Sequence, residues 1–326
     1  MPTETVYGLA ADAFNMDAVA QIYSAKGRPG DNPLILHISD ISQFLELADS
    51  PQPYALALAK TYWPGPLTLI VKKKPHLPGW LGGHPQKTAA TIGIRMPAHP
   101  VAMALIQASG CPLCAPSANK AGRPSPTTAA HVAEDFIQGD KVEMILDGES
   151  SEIGVESTVV DVTGAQPIIL RPGAITEAMI QEVTATSAAL NFKVKGDNTD
   201  APRAPGMKYR HYAPKAPMMI FKGEPMDVAA RIAELLHSNE DSTLQIGVLV
   251  TDITKQLLPP NLPSNVSLLS LGSTDKSVAK NLFAHLRQFD TLGVSIIYAE
   301  AVPNTDLGTA IMDRMQKAAE GNVINV

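Results

Sequence analysis

The sequence predicts an α/β protein in two unequal parts, a mixed-sheet layer over residues 1–186 and a small open parallel sheet over 216–326. Three observations carry this. Strand and helix patterns alternate irregularly up to about residue 186. Both periodicities then fail over 187–215, where prolines, glycines and charges intermix. Regular strand–helix–strand alternation resumes beyond that segment.

The elements follow in order. Asn15 caps a helix whose apolar side is Met16, Val19, Ile22 and Tyr23, and Gly27 ends it. LILHI at 34–38 reads as a buried strand, followed by a helical pattern over 42–48. Residues 54–62 are helical until Pro64 and Pro66, and LTLIVK at 67–72 is a strand. A strand at 90–97, a helix at 99–110, a short strand at 112–116 and a helix at 127–136 come next. Strands are predicted at 143–146, 158–163 and 167–171. In the last part, MMIFKG, QIGVLV, VSLLSL and VSIIYAE are strands, with helices over 226–238, 277–290 and 307–320.

Bulk properties bound the function. A length of 326 residues with 45% apolar composition supports two cores rather than one. No run approaches the roughly 18 apolar residues of a membrane span, and MPTETVYG lacks a secretory pattern. Two cysteines fit a reducing compartment, so the expected location is cytoplasmic. The net charge of −6 argues against a chain held on RNA by its overall field. The charge is uneven, however. Residues 1–186 carry 12 Lys+Arg against 18 Asp+Glu, residues 187–215 carry 6 against 2, and residues 216–326 carry 8 against 12.

Four segments concentrate polar and glycine residues beyond what local structure requires. PTETVYG at 2–8 reads as a strand entering a turn. In SAKGRPGDNPLILHI at 24–38, Lys26 and Arg28 sit in a stiff Gly/Pro loop, a point charge and a fork suited to a polyphosphate. APSANKAGRPSPT at 115–127 offers Ser117, Asn119 and Ser125, with a helix following that favours an anion. ESTVVD and ILRPG, joined by GAQP at 164–167, form a hairpin presenting Ser157 and Arg171. Arg95 in GIRMP has the same form as Arg171, an arginine ending an apolar strand beside a proline turn. Each segment alone has an ordinary structural explanation, as a strand edge, a dipole partner or a capped loop.

Other features carry less. Cys111 and Cys114 form CPLC on a strand, with no second Cys/His pair for zinc, and read as core residues. No metal site is predicted in the protein itself. His76, His84, His99, His131, His237 and His285 lack ligand spacing, and GESSE at 148–152 is not a nucleophile elbow. The chain has neither a P-loop nor a suitable GxGxxG.

Taken in order, PTETVYGL, the K-G-R-P-x-x-N-P-L-I-x-H-I run, GIRMP, APSAN with its following SPT, ESTVVD and ILRPG resemble the YrdC-like domain of threonylcarbamoyl-AMP synthases. APGMKYRHYAP at 204–214 and DLGTAIMDRMQKAA near the end resemble the linker and C-terminal domain of that family's long form. The resemblance implies a YrdC-like catalytic domain over 1–186, a basic linker and lid over 187–215, and a Rossmann-like domain over 216–326. It implies synthesis of threonylcarbamoyl-AMP and pyrophosphate from L-threonine, bicarbonate or CO2, and ATP with Mg2+. A threonylcarbamoyl-transferring machinery would use the product to modify tRNA. By the same resemblance Lys26 and Arg28 are catalytic and bind ATP, together with Asn32, Thr91, Ser117, Asn119, Ser125, Ser157, Arg171 and His211. Thr5, His37, Arg95 and Ala115 would bind threonine. It further implies that a helix and strand ahead of PTETVYG are missing, which is expected to loosen Thr5.

Two other readings compete. A carbamoyl transferase of the hydrogenase-maturation kind would carry acylphosphatase or zinc-finger regions, which the sequence lacks. A nonenzymatic module in weak contact with RNA is disfavoured by the net charge and by the lack of interleaved aromatics.

Overall fold

Apolar residues at alternate strand positions need a partner layer, and helices supply it in both halves of the chain. The computed structural model describes residues 1–136, 142–185, 193–194, 211–238 and 243–326. Two compact units emerge, Met1–Ala121 with Ser125–Tyr209, and Gly122–Pro124 with Arg210–Val326. Of the expected lid over 187–215, residues 187–192 and 195–210 lie outside the described residues.

The first unit contains β1 (Ala11–Asp12), α1 (Met16–Lys26), β2 (Ile35–His37), α2 (Ile41–Leu47), α3 (Pro53–Tyr62), β3 (Leu67–Lys72) and β4 (Thr91–Arg95). It continues with α4 (Pro100–Ser109), β5 (Leu113–Cys114), α5 (Ala129–Phe136), β6 (Thr158–Asp161), β7 (Ile168–Arg171), α6 (Glu177–Ala185) and β8 (Lys193–Val194). Among the described residues these strands form one mixed sheet in the order β1-β5-β2-β4-β3-β6-β7-β8. Its main core is one-sided. Leu36, Leu67, Leu69, Val71, Ile92, Ile94 and Val160 meet Val19 and Ile22 of α1, Phe44 of α2, Leu58 of α3 and Ile180 of α6.

Local chemistry sets the helix ends. The Asn15 side chain accepts from the Ala18 N–H, and Gly27 closes α1 in the left-handed region at φ 63°. His99, one of the histidines without ligand spacing, accepts from the Val101 N–H and caps α4.

Two strand expectations are corrected. Residues 143–146 form no strand, and Met144 is 72% exposed there, so the apolar run has no sheet neighbour. PTETVYG is likewise no strand. It is a buried bend, with Gly8 making one isolated bridge to Ser117.

The second unit contains β9 (Met218–Lys222), α7 (Pro225–Ser238), β10 (Ile246–Val250), α8 (Asp252–Leu257), β11 (Val266–Ser270), α9 (Asp275–Leu292), β12 (Ile296–Glu300), α10 (Asp306–Ala318) and β13 (Val323–Asn325). Its sheet runs β11-β10-β12-β9-β13, and among the described residues every pairing is parallel. This is the small open parallel sheet expected from the alternation, extended by β13 and by the short α8, which the sequence pattern did not reveal. No described helix is long and apolar enough to cross a membrane.

Ile94 is fully buried on the helix-covered face of β4. Replacing it by Ala should cost ~2–5 kcal/mol, read as a lower urea midpoint at unchanged slope.

Candidate active site

Strand alternation sorts the polar candidates away from the core. On β4, Ile92 and Ile94 enter the helix-covered core, so Thr91, Gly93 and Arg95 face the other way. On β3, Leu67, Leu69 and Val71 are core residues, which leaves Thr68 and Ile70 on that opposite face. On β2, Leu36 is core and His37 is not. His37 stands beside Arg95 in the parallel β2–β4 register.

Arg171 reaches this face by an irregularity. Val160 pairs with Ile169 and Val159 pairs with Arg171, with the register shifting between them. Ile169 and Val160 belong to the main core, while Val159 packs with Ile70 on the far face. Such a bulge re-aims the side chain beyond it, and here that side chain is the guanidinium.

Arg95 is 4% exposed and its fork is largely engaged. Nη1 donates to the Thr5 hydroxyl at 2.8 Å, Nε donates to the Gly65 carbonyl at 3.3 Å, and Nη2 lies 2.6 Å from a Glu4 carboxylate oxygen. Thr5 is fully buried, and its hydroxyl also lies 2.9 Å from that of Thr3. His37 is buried with Nδ1 3.2 Å from the Ile35 carbonyl. A carbonyl only accepts, so Nδ1 carries the proton. Burial, and then the Arg95 charge, lower the His37 pKa to about 3, which keeps the ring neutral at physiological pH. Ala115 adjoins this group, donating its N–H to the Ile35 carbonyl at 3.0 Å.

A second cluster surrounds Ser157. Its hydroxyl lies 2.8 Å from the Thr68 hydroxyl. Arg171 donates Nε and Nη2 to the Ser157 carbonyl at 3.1 and 3.0 Å, and Nη2 to the hydroxyl at 3.2 Å. Gly173 permits this approach, because a Cβ there would lie 2.4 Å from the Thr158 nitrogen. The Gly65–Pro66 turn ties the two clusters together. Its Gly65 carbonyl accepts from Arg95, and its Pro66 carbonyl accepts from Thr158 N–H at 3.0 Å. Ser125, fully buried, donates to Glu156 at 2.5 Å.

The loop after α1 is more internally bonded than its sequence suggested. Lys26 is 3% exposed and donates to the carbonyls of Ser117 and Asn119. Arg28 donates Nε to the Asn32 carbonyl at 3.1 Å and Nη2 to the Pro33 carbonyl at 2.7 Å. The Asn32 amide oxygen is buried without a hydrogen-bond partner. The Asn119 amide donates to the Lys120 carbonyl at 2.8 Å. Thr91 lies at the opposite end of β4 from Arg95, about 13 Å along the strand. It lines a cavity of about 290 Å³ with Gly30, Asp31, His84, Lys87 and Gly93. His211 falls in the second unit, its ring 5.4 Å from that of Tyr212.

Sequence reasoning passed over Glu4, Thr68 and Glu156. Thr68 had a legible signal, a lone hydroxyl inside the apolar strand LTLIVK. The roles of Glu4 and Glu156 depend on partners 91 and 31 residues away, which no local pattern reveals. Cys114 is buried, which pushes its thiol up to about 12, so it is a core residue as expected. Among the described residues no three His, Cys, Asp or Glu side chains converge as metal ligands.

Two stability measurements follow from this site. Arg95→Met leaves Glu4 as an unpaired buried carboxylate and should destabilise the chain by ~3–5 kcal/mol, while Glu4→Gln with Arg95→Met should recover much of the loss. The His37 pKa is lower folded than unfolded, so the unfolded chain binds the extra proton between its ordinary 6.5 and about 3. Stability should therefore fall as pH drops through that window. Urea midpoints between roughly pH 6.5 and pH 5 should fall less steeply in His37→Gln, and equal slopes would remove His37 as the cause.

Comparison with known proteins covers both units. Residues 1–173 match the Sua5, YciO and YrdC family, described as telomere recombination, and residues 175–320 match the threonylcarbamoyl-AMP synthase C-terminal domain. The chain is 42% identical over 325 residues to the threonylcarbamoyl-AMP synthase of Pyrococcus abyssi, covering 100% of this chain and 91% of that protein. It is 45% identical over 325 residues to the Bacillus subtilis threonylcarbamoyl-AMP synthase, covering 99% and 89%. The crystal structure of P. abyssi Sua5 complexed with L-threonine aligns with a TM-score of 0.88 at 42% identity, covering 100% of this chain and 91% of that one. Identity of this extent, carried across the mixed sheet and the parallel sheet alike, shows that the chain belongs to the long-form threonylcarbamoyl-AMP synthases, enzymes of the nucleotidyltransferase type.

Proposed function

We propose that this enzyme condenses L-threonine, bicarbonate or CO2, and ATP into threonylcarbamoyl-AMP, releasing pyrophosphate. The observation that carries the reading is the polar sheet face, where Arg95, Thr5 and His37 adjoin the Ser157–Arg171–Thr68 cluster across the Gly65–Pro66 turn. An amino-acid carboxylate and a nucleotide phosphate are both anions, and each finds a guanidinium on that face.

The threonine amine takes up CO2 as a carbamate, losing a proton. A carbamate oxygen then attacks the ATP α-phosphorus as the bond to pyrophosphate breaks. This chemistry calls for positioning and charge stabilisation rather than a protein nucleophile. Arg95 orients the threonine carboxylate, with Thr5, neutral His37 and Ala115 around it. Lys26, Arg28, Asn32, Ser117, Asn119, Ser125, Ser157 and Arg171 hold the nucleotide, with Thr91 contacting it from the far end of β4. Magnesium enters as part of the MgATP substrate, where it neutralises phosphate charge. The basic segment 187–215, with His211, excludes water from the reactive intermediates. A cytoplasmic location and a downstream machinery that transfers the threonylcarbamoyl group to tRNA belong to the same proposal.

The test is pyrophosphate release by purified protein with MgATP. Release should require both threonine and bicarbonate, and release independent of either would sink the reading. Arg28→Ala should lower kcat/KM on the order of 10²–10³-fold, with a smaller loss of melting temperature than Lys26→Ala because its bonds to the Asn32 and Pro33 carbonyls are only partly buried. Lys26→Ala should lose activity and stability together, because it strips the donor from two loop carbonyls.

A further inference from the structure

On α9, Phe283, Arg287 and Asp290 stand at positions i, i+4 and i+7, a single helical stripe. Each fastens a segment remote in sequence. The Phe283 ring lies 5.2 Å from that of Tyr212. Asp290 accepts from the Lys215 N–H at 2.7 Å and lies 3.5 Å from the Arg123 guanidinium. Arg287 is 1% exposed and donates Nε at 3.1 Å and Nη2 at 2.7 Å to the Pro124 carbonyl. The Ala213 N–H adds a bond to the Gly122 carbonyl at 2.9 Å. Gly122–Pro124 thus packs as part of the second unit, although the chain runs through it in the middle of the APSANKAGRPSPT motif.

The consequence lies one peptide bond further on. The peptide group is planar, so the Pro124 carbonyl and the Ser125 Cα belong to one rigid plane. Two charge-assisted hydrogen bonds on that carbonyl fix the plane, and with it the point from which the Ser125 side chain departs.

We propose that Arg287 is a positioning residue for the nucleotide half of the reaction. It sets the Pro124–Ser125 peptide plane, and thereby the Ser125 hydroxyl that serves ATP. This rests on the function proposed above for Ser125.

The experiment uses the full-length chain and the variants Arg287→Gln and Arg287→Lys. In Arg287→Gln, KM for ATP should rise about tenfold while KM for threonine stays within about twofold. Amide exchange across residues 117–125 should quicken. Arg287→Lys, which keeps the charge without the fork, should fall between wild type and Arg287→Gln on both measures. A role confined to packing would lower the melting temperature and the active fraction yet leave both KM values and exchange at 117–125 unchanged, and that result overturns the proposal. If Arg287→Gln does not fold, Arg287→Lys is judged by the same two measures. If the wild type releases no threonine-dependent pyrophosphate, the proposed function fails, and exchange at 117–125 alone decides whether Arg287 holds the loop.

Discussion

Residues 3–9 are largely buried without belonging to a strand, so their backbone groups must find partners one at a time. The rest of the site is arranged around how they do so. The carbonyls of Glu4 and Thr5 accept from Ile153 and Gly154, and the Thr3 carbonyl accepts from the Ser151 hydroxyl. Tyr7 donates to Pro126 and accepts from Ala118, while Leu9 donates to Pro116. The Thr3 hydroxyl closes the bend by donating to the Val6 carbonyl and accepting from the Val6 N–H. One short segment thereby joins the 115–127 loop to the 151–154 loop. Its side chains Glu4 and Thr5 bring both to the end of β4 through Arg95.

The sheet meets this hub with a division of labour set by period 2. Helices cover one face, where the apolar residues of β2, β3, β4 and β6 converge. The other face keeps Thr68, Arg95 and His37, polar groups that a two-sided core would exclude. Burial keeps His37 neutral, so it serves that face as a fixed hydrogen-bonding group rather than as a second positive charge beside Arg95.

Much of this was legible in the sequence, because it is local. Asn15 and Gly27 bound α1 as expected, and LTLIVK is β3 without adjustment. The parallel sheet of the second unit followed from its regular alternation. Local patterns erred where the deciding contact is distant. PTETVYG has β-branched and hydroxyl residues suited to a strand, but its partners are two separate loops. The site motifs were found because they crowd polar residues into apolar surroundings. The manner of their use was not legible. Lys26 and Arg28 look like open phosphate ligands in sequence, whereas in the fold both guy the loops that carry their neighbours. Gly122–Pro124 gave no sign that its partners lie on a helix some 160 residues away, since a glycine–arginine–proline turn is complete in its own local terms.

The bulge opposite Val159 has a bearing on how such a chain can change over time. IILR reads as an unremarkable apolar strand, and substitutions among its aliphatic residues would preserve that reading. A change of length would not. Adding one residue to β6 between Val159 and Val160 would restore an even ladder, pairing Leu170 with the newcomer and turning Arg171 toward the helix-packed side. At this point the chain tolerates spelling changes better than counting errors, so divergence here is expected by substitution, with insertions and deletions confined to the GAQP turn.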